Sequence, residues 1–152
     1  MTKQSRVGPG RFQWNTGGWF GTQLGSTVWL ILAAAVQLPG YPEARVVALS
    51  CFLVPNIFGL ILFLNRNRVV PYPAIQWLIG VIGIVSVIFL VYLNRSGLVQ
   101  EIDPRFSYGQ WGFYLLPVLF GGLMTLFHVM ERNAVKKRKQ SAELNVGPHT
   151  HA

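Results

Sequence analysis

The sequence predicts an all-α fold, a bundle of four transmembrane helices. Of its 152 residues, 51% are hydrophobic and only 12% are charged, whereas a soluble domain carries about 25% charged residues. The apolar residues are gathered into four segments, each close to the roughly 20 residues that a helix needs to cross the hydrocarbon core of a bilayer. The placement of the charges between these segments indicates an integral membrane protein.

The four predicted spans are about Gly17–Leu38, Ala44–Leu64, Pro73–Leu93 and Gly109–Met130. Apart from Arg45 at the edge of the second span, they contain no Asp, Glu, Lys or Arg. This fits the cost of about 3 kcal/mol for a charge at the centre of a membrane helix. We therefore expect a cytoplasmic N-terminal segment at 1–16, a four-span domain at 17–132, and a basic, disordered cytoplasmic tail at 133–152.

The basic residues predict that both ends of the chain lie in the cytoplasm. Ten of the 13 Lys and Arg residues fall before the first span, in the loop between the second and third spans, and after the fourth span. Cytoplasmic segments of membrane proteins are enriched in Lys and Arg, and all three segments agree on this orientation. The compactness of the chain and an expected lack of outward-facing N-glycosylation sequons favour the bacterial inner membrane as its location.

A basic cluster, Lys136–Lys139, follows the last span after a short gap. Clusters of this kind bind anionic lipid headgroups, so anionic lipid is a candidate partner in addition to the bilayer itself. The alternative is that the cluster only determines the topology. The net charge of +8 is explained by these flanking residues, and no nucleic-acid partner is expected.

The first span carries three glycines at four-residue spacing, Gly17, Gly21 and Gly25. Residues four apart share one helix face, and a second row of small residues runs beside the glycines. Such a face lets another helix approach closely, which drives helix association in a membrane. The partner is either another helix of this chain or a second protomer, so we expect a homo-oligomer or a larger membrane complex.

A similar motif occurs in the second and fourth spans. Leu, Pro, Phe and Gly recur at identical spacing in Leu53–Gly59 and in Leu115–Gly121. This similarity raises the hypothesis of two tandem helical hairpins, with chance similarity between apolar segments as the alternative.

The prolines of this motif indicate a candidate site. A proline inside a span frees a backbone carbonyl, and paired Pro/Gly interruptions in two halves of a chain mark binding sites in transporters. The candidate mid-membrane site consists of Pro55, Asn56, Gly59, Pro117 and Gly121. The alternative is that the prolines only bend the helices for packing.

The other polar side chains of the spans, among them Gln23, Gln76 and His128, are expected to form hydrogen bonds between helices. No catalytic, cofactor-binding or metal-binding set is apparent, because the single aspartate, Asp103, is predicted outside and the histidines inside. We expect a non-enzymatic protein that associates with itself or serves as an accessory subunit of a membrane complex. The alternative is a small transporter or channel built around the two proline-containing helices.

Overall fold

Four α-helices form the described part of the chain, which contains no β-strand. The computed structural model describes residues 8–38, 40–98 and 109–146. The helices are α1 (Thr16–Leu32), α2 (Pro42–Leu64), α3 (Pro71–Arg95) and α4 (Gly109–Val146). They confirm the predicted all-α fold and four helical segments. The remaining parts of the predicted N-terminal segment, outer loop and tail (1–7, 99–108 and 147–152) lie outside the described residues.

Short-range signals in the sequence determine where the helices begin. Asn15 caps α1, and its Oδ1 atom accepts the backbone N–H of Gly18 at 3.3 Å. Pro42 and Pro71 are the first residues of α2 and α3, a position where the missing N–H of proline would have no helical partner and its fixed φ suits a helix. At its other end α1 continues into a π-helical segment, Ala33–Gln37, so helical structure covers most of the predicted first span.

Two of the helices, α2 and α3, are long and apolar enough to cross a membrane. An 18-residue stretch within each has a mean hydropathy of 2.4 and 2.5, respectively, and the helices are 23 and 25 residues long. At about 1.5 Å per residue, each exceeds the roughly 30 Å of a bilayer core.

The helices pack in chain order. α1 packs against α2, α2 against α3, and α3 against α4, while α1 has only a minor contact with α3. One apolar core joins Leu30, Ala48 and Phe89 of the first three helices. A second core, nearer the predicted cytoplasmic end, includes Trp19 and Phe63. Because α4 joins the bundle mainly through α3, a gap remains between α1 and α4.

The last helix is longer than predicted. α4 runs for 38 residues, about 57 Å at 1.5 Å per residue, so the prediction of a disordered tail is wrong for residues 133–146. The segment Lys136–Leu144 is rich in Lys, Arg, Gln, Ala and Glu, which are good helix formers, and extending an existing helix needs no new nucleus. The lack of apolar periodicity in this segment reflects its exposure and not an absence of helix.

Candidate functional site

Three polar side chains form a closed ring of hydrogen bonds between α1 and α2. The Nε2 atom of Gln23 donates to Asn56 Oδ1 at 3.1 Å, and Nδ2 of Asn56 donates to Thr27 Oγ1 at 3.0 Å. The Thr27 hydroxyl donates to the backbone carbonyl of Gln23 at 2.9 Å, which closes this polar ring. Gln23 and Thr27 are both buried, so the ring fixes how α1 and α2 are aligned.

The remaining N–H groups of the two amides also have partners. Gln23 Nε2 donates to the backbone carbonyl of Asn56 at 2.7 Å, and Asn56 Nδ2 donates to that of Phe52 at 2.7 Å. Among the described residues, only the Gln23 Oε1 atom of this group is buried without a hydrogen-bond partner. Asn56 therefore has both amide hydrogens committed to protein contacts.

Gly59 allows the close approach of the two helices. Trp19 donates through Nε1 to the Gly59 carbonyl at 3.1 Å, and the Gln23 amide lies so close to Gly59 that a Cβ there would overlap it. A glycine at this point is therefore required by packing. Pro55 is fully buried one turn earlier, and its missing N–H leaves the Cys51 carbonyl without its usual helical donor.

The residues of the predicted mid-membrane site lie against different helices. Asn56 and Gly59 contact α1 through Gln23. On α4, Pro117 and Gly121 are exposed, and Gly121 has no other described residue within 4 Å of a Cβ built on it. α4 packs on α3, so the structure does not bring the α2 and α4 parts of this site together.

Polar contacts also connect α3 and α4. The Tyr72 hydroxyl lies 2.8 Å from Nδ1 of His128, and Gln76 Nε2 donates to the Met124 carbonyl at 3.1 Å. The close approach of these helices occurs at Gly83, where a Cβ would lie 3.1 Å from the Phe120 ring. Gly121, the counterpart of Gly59 in the sequence repeat, has no such role, so the two hairpins do not share their packing details.

The residues before α1 form an N-terminal strap, Gly8–Asn15, that is held by a buried carboxylate. Glu131 of α4 is only 6% exposed, and its Oε2 atom accepts the backbone N–H groups of Arg11 at 2.8 Å and Phe12 at 3.4 Å. A Cβ on Gly10 would overlap this carboxylate. The position of the strap thus depends on the Glu131 carboxylate as hydrogen-bond acceptor and on the absence of a side chain at Gly10.

Aromatic side chains of the strap extend its contacts to other helices. The Phe12 ring centroid lies 5.1 Å from that of Phe127 on α4, and Trp14 Nε1 donates to the Val69 carbonyl at 3.2 Å. The strap therefore links α1, the loop between α2 and α3, and the beginning of the α4 extension.

A cleft of about 270 Å³ lies between α1 and the α3–α4 pair. On the α1 side it is lined by small residues, Gly18, Thr22 and Ser26, and the strap closes one end with Phe12, Gln13 and Asn15. The facing walls are apolar and include Ile75, Leu78, Ile79, Ile82, Phe120, Leu123 and Phe127. This cleft is the gap between α1 and α4, which do not pack extensively against each other.

The predicted glycine face points away from the rest of the described chain. Gly21 and Gly25 have no described residue within 4 Å of a built Cβ, and Gly17 has only Asn15 at 3.7 Å. The face of α1 that packs within the bundle instead carries Trp19, Gln23, Thr27 and Leu30. The sequence left open whether another helix of this chain or a second protomer covers the glycine face. In the described part of the chain, no other helix covers it.

Sequence reasoning missed the role of Glu131. It is the one acidic residue at the end of the fourth predicted span, beside otherwise basic residues, and that isolated position was the available signal. The cleft could not be derived from the sequence, because its walls come from the strap and three helices whose relative positions no local pattern specifies.

The described residues contain no group of three or more His, Cys, Asp or Glu side chains placed to hold a metal ion. Comparisons with protein-family models, with curated proteins and with solved structures find no match to this chain.

Proposed function

We propose that this chain is a four-span membrane protein that works by associating with other membrane helices, in a homo-oligomer or as an accessory subunit of a larger complex. The large exposed apolar side chains support the membrane assignment. Val46, Ile84 and Val118, on three different helices, are 63%, 63% and 73% exposed. Extensive exposed apolar surface is rare on soluble monomers and is what lipid contact requires of a membrane bundle.

The uncovered glycine face carries the proposal of association. Gly21 lies about 200° around the α1 axis from the buried Gln23, because each residue of an α-helix turns by about 100°. α1 therefore presents one face to α2 and an opposite face of glycines to the outside. Small residues on a lipid-exposed face let a second backbone approach closely, which favours helix association by packing where the hydrophobic effect between helices is absent.

The test compares the oligomeric state of the wild type with Gly21→Leu in mild detergent and in nanodiscs. We expect the wild type to form a defined oligomer or to retain a membrane partner, and Gly21→Leu to lose it. Gly121→Leu is the matched control, because it adds the same side chain at another open glycine, on α4. A wild type that is monomeric and without a partner in both media would refute the proposal.

We also propose that both ends of the chain lie in the cytoplasm, on the evidence of the distribution of Lys and Arg. The expectation of a bacterial inner membrane rests partly on a lack of outward-facing N-glycosylation sequons, and that reason is wrong. Asn94-Arg95-Ser96 matches the acceptor sequence for N-glycosylation and lies at the predicted outer end of α3, with Asn94 and Ser96 exposed. An N-glycan on Asn94 would place this end of α3 outside and would argue against a bacterial inner membrane.

The transporter alternative has less support. It requires polar groups of the proline-containing helices to be available to a substrate, but the Asn56 amide donates both its hydrogens within the protein. The exposed Pro117 and Gly121 lie on a different helix pair. These contacts fit a structural role for the motif in each helix.

A further inference from the structure

We propose that the cleft between α1 and the α3–α4 pair binds an acyl chain of an anionic membrane lipid, with the lipid headgroup beside the N-terminal strap. This inference rests on the proposed membrane location, but it does not require the proposed oligomer. It assigns a ligand class to a cavity whose α1 wall, Gly18, Thr22 and Ser26, lies beside the glycine face, about 100° around the helix axis from it.

The polar atoms of the α1 wall are already satisfied by their own helix. The Thr22 hydroxyl donates to the Gly18 carbonyl at 2.8 Å, and the Ser26 hydroxyl donates to the Gln23 carbonyl at 3.0 Å. Neither hydroxyl therefore has its hydrogen free for a ligand. Because the facing walls are formed by isoleucine, leucine and phenylalanine side chains, the part of a ligand inside the cleft must be apolar.

The size and position of the cleft fit a hydrocarbon chain. Its volume of about 270 Å³ lies slightly below the range of roughly 300–1,000 Å³ found for small-molecule pockets. It can hold part of a chain but not a lipid headgroup as well. Because α1 and α4 do not pack together extensively, a chain can enter the cleft from the surrounding bilayer.

Positive charge at the strap end of the cleft favours an anionic headgroup. Arg11 immediately precedes Phe12, which lines the cleft, and Arg132 follows Glu131 on α4; both arginine side chains are exposed. The Glu131 carboxylate between them is buried and accepts two backbone N–H groups. Among the described residues next to Glu131, the exposed charges are therefore those of the two arginines, and basic residues at the cytoplasmic surface attract anionic lipids.

The test uses the full chain in nanodiscs that contain phosphatidylglycerol with a photoreactive diazirine near the middle of one acyl chain. We expect crosslinks on peptides that carry Thr22, Ile79 or Leu123. Gly18→Leu, which adds a side chain to the α1 wall, should lower this labelling about tenfold, equivalent to about 1.4 kcal/mol of binding free energy. Gly21→Leu is the matched control, because Gly21 lies on the neighbouring glycine face and does not line the cleft; its labelling should equal that of the wild type.

Unchanged labelling in Gly18→Leu would overturn the proposal, as would crosslinks confined to exposed residues such as Val118, which indicate bulk lipid alone. If Gly18→Leu does not fold, Ser26→Leu blocks the cleft further along α1 and serves the same purpose. Capture of another protein's segment in the cleft, in place of lipid, would also refute the assignment of its ligand.

The headgroup is tested by replacing phosphatidylglycerol with phosphatidylcholine that carries the same diazirine. We expect weaker labelling by the neutral lipid in the wild type, and loss of this preference in Arg11→Gln, which retains the backbone N–H used by Glu131. Equal labelling by both lipids in the wild type would remove the anionic headgroup from the proposal. A Gly21→Leu variant with unchanged oligomeric state and unchanged lipid labelling would count against the association proposal alone.

Discussion

The Oε2 atom of Glu131 accepts the backbone N–H of Arg11 at 2.8 Å, and this hydrogen bond connects residues 120 positions apart in the sequence. Through it, the strap before the first helix is held against the last helix at the point where the extension of α4 begins. The bundle is thereby closed at its predicted cytoplasmic end by a contact that involves no helix–helix packing.

We predict that Glu131→Ala releases the strap without unfolding the bundle. Hydrogen bonds to a charged group contribute about 1.5–3 kcal/mol, so the amides of Arg11 and Phe12 should exchange hydrogen roughly tenfold to a hundredfold faster. Hydrogen–deuterium exchange measured by mass spectrometry checks this, with the exposed Glu143→Ala as control. Unchanged exchange across residues 8–15 would show that the carboxylate does not hold the strap.

The two glycines of the sequence repeat should respond differently to the same change. Gly59→Ala places a methyl group against the buried Gln23 amide and should lower the free energy of unfolding by about 1–3 kcal/mol, as overpacking typically does. Gly121→Ala meets no described residue and should be neutral or stabilising by up to about 1 kcal/mol through helix propensity. Reversible unfolding in detergent measures both. Equal effects would contradict the different packing of the two hairpins.

Loss of the Asn56 amide should weaken the contact between α1 and α2. Hydrogen bonds between membrane helices contribute about 0.6 kcal/mol on average and up to about 1.7 kcal/mol, so Asn56→Ala, which removes bonds to both Gln23 and Thr27, should cost about 1–3 kcal/mol of unfolding free energy. Asn65→Ala is the control, because its amide donates to Ile61 of its own helix. If the two variants were equally stable, the polar ring would have no net effect on stability.

Reporter fusions should place both ends of the chain in the cytoplasm. We expect green fluorescent protein to be fluorescent when fused after Ala152, and alkaline phosphatase to be active when fused after Gly40, since the first lies beyond the basic α4 extension and the second in a loop with few basic residues. An inactive phosphatase at Gly40 together with a non-fluorescent C-terminal fusion would reverse the orientation.

Local sequence signals were sufficient to predict where the helices lie in the chain, but not how the helices pack against each other. Pro42, Pro71 and Asn15 determine helix starts within a few residues, and the apolar segments specify α2 and α3. The repeat suggested equivalent roles for Gly59 and Gly121, yet only Gly59 lies beneath another side chain, because a glycine's role depends on which helix crosses it. Asn56 belongs to the predicted mid-membrane site, but its hydrogen bonds to Gln23 and Thr27 depend on the alignment of α1, which the spacing of residues in the sequence does not provide.

Beyond Gly122, α4 continues as one uninterrupted helix, so its two ends should move together. No proline or glycine occurs between Gly122 and Val146, so this stretch has none of the residues that usually bend helices. The 16 residues from Glu131 onward extend about 24 Å, and a tilt of about 10° would move their tip by about 4 Å. A partner that pulls on Lys136–Lys139 would therefore turn the inner part of the same helix, and with it Phe127 and Leu123 in the wall of the cleft.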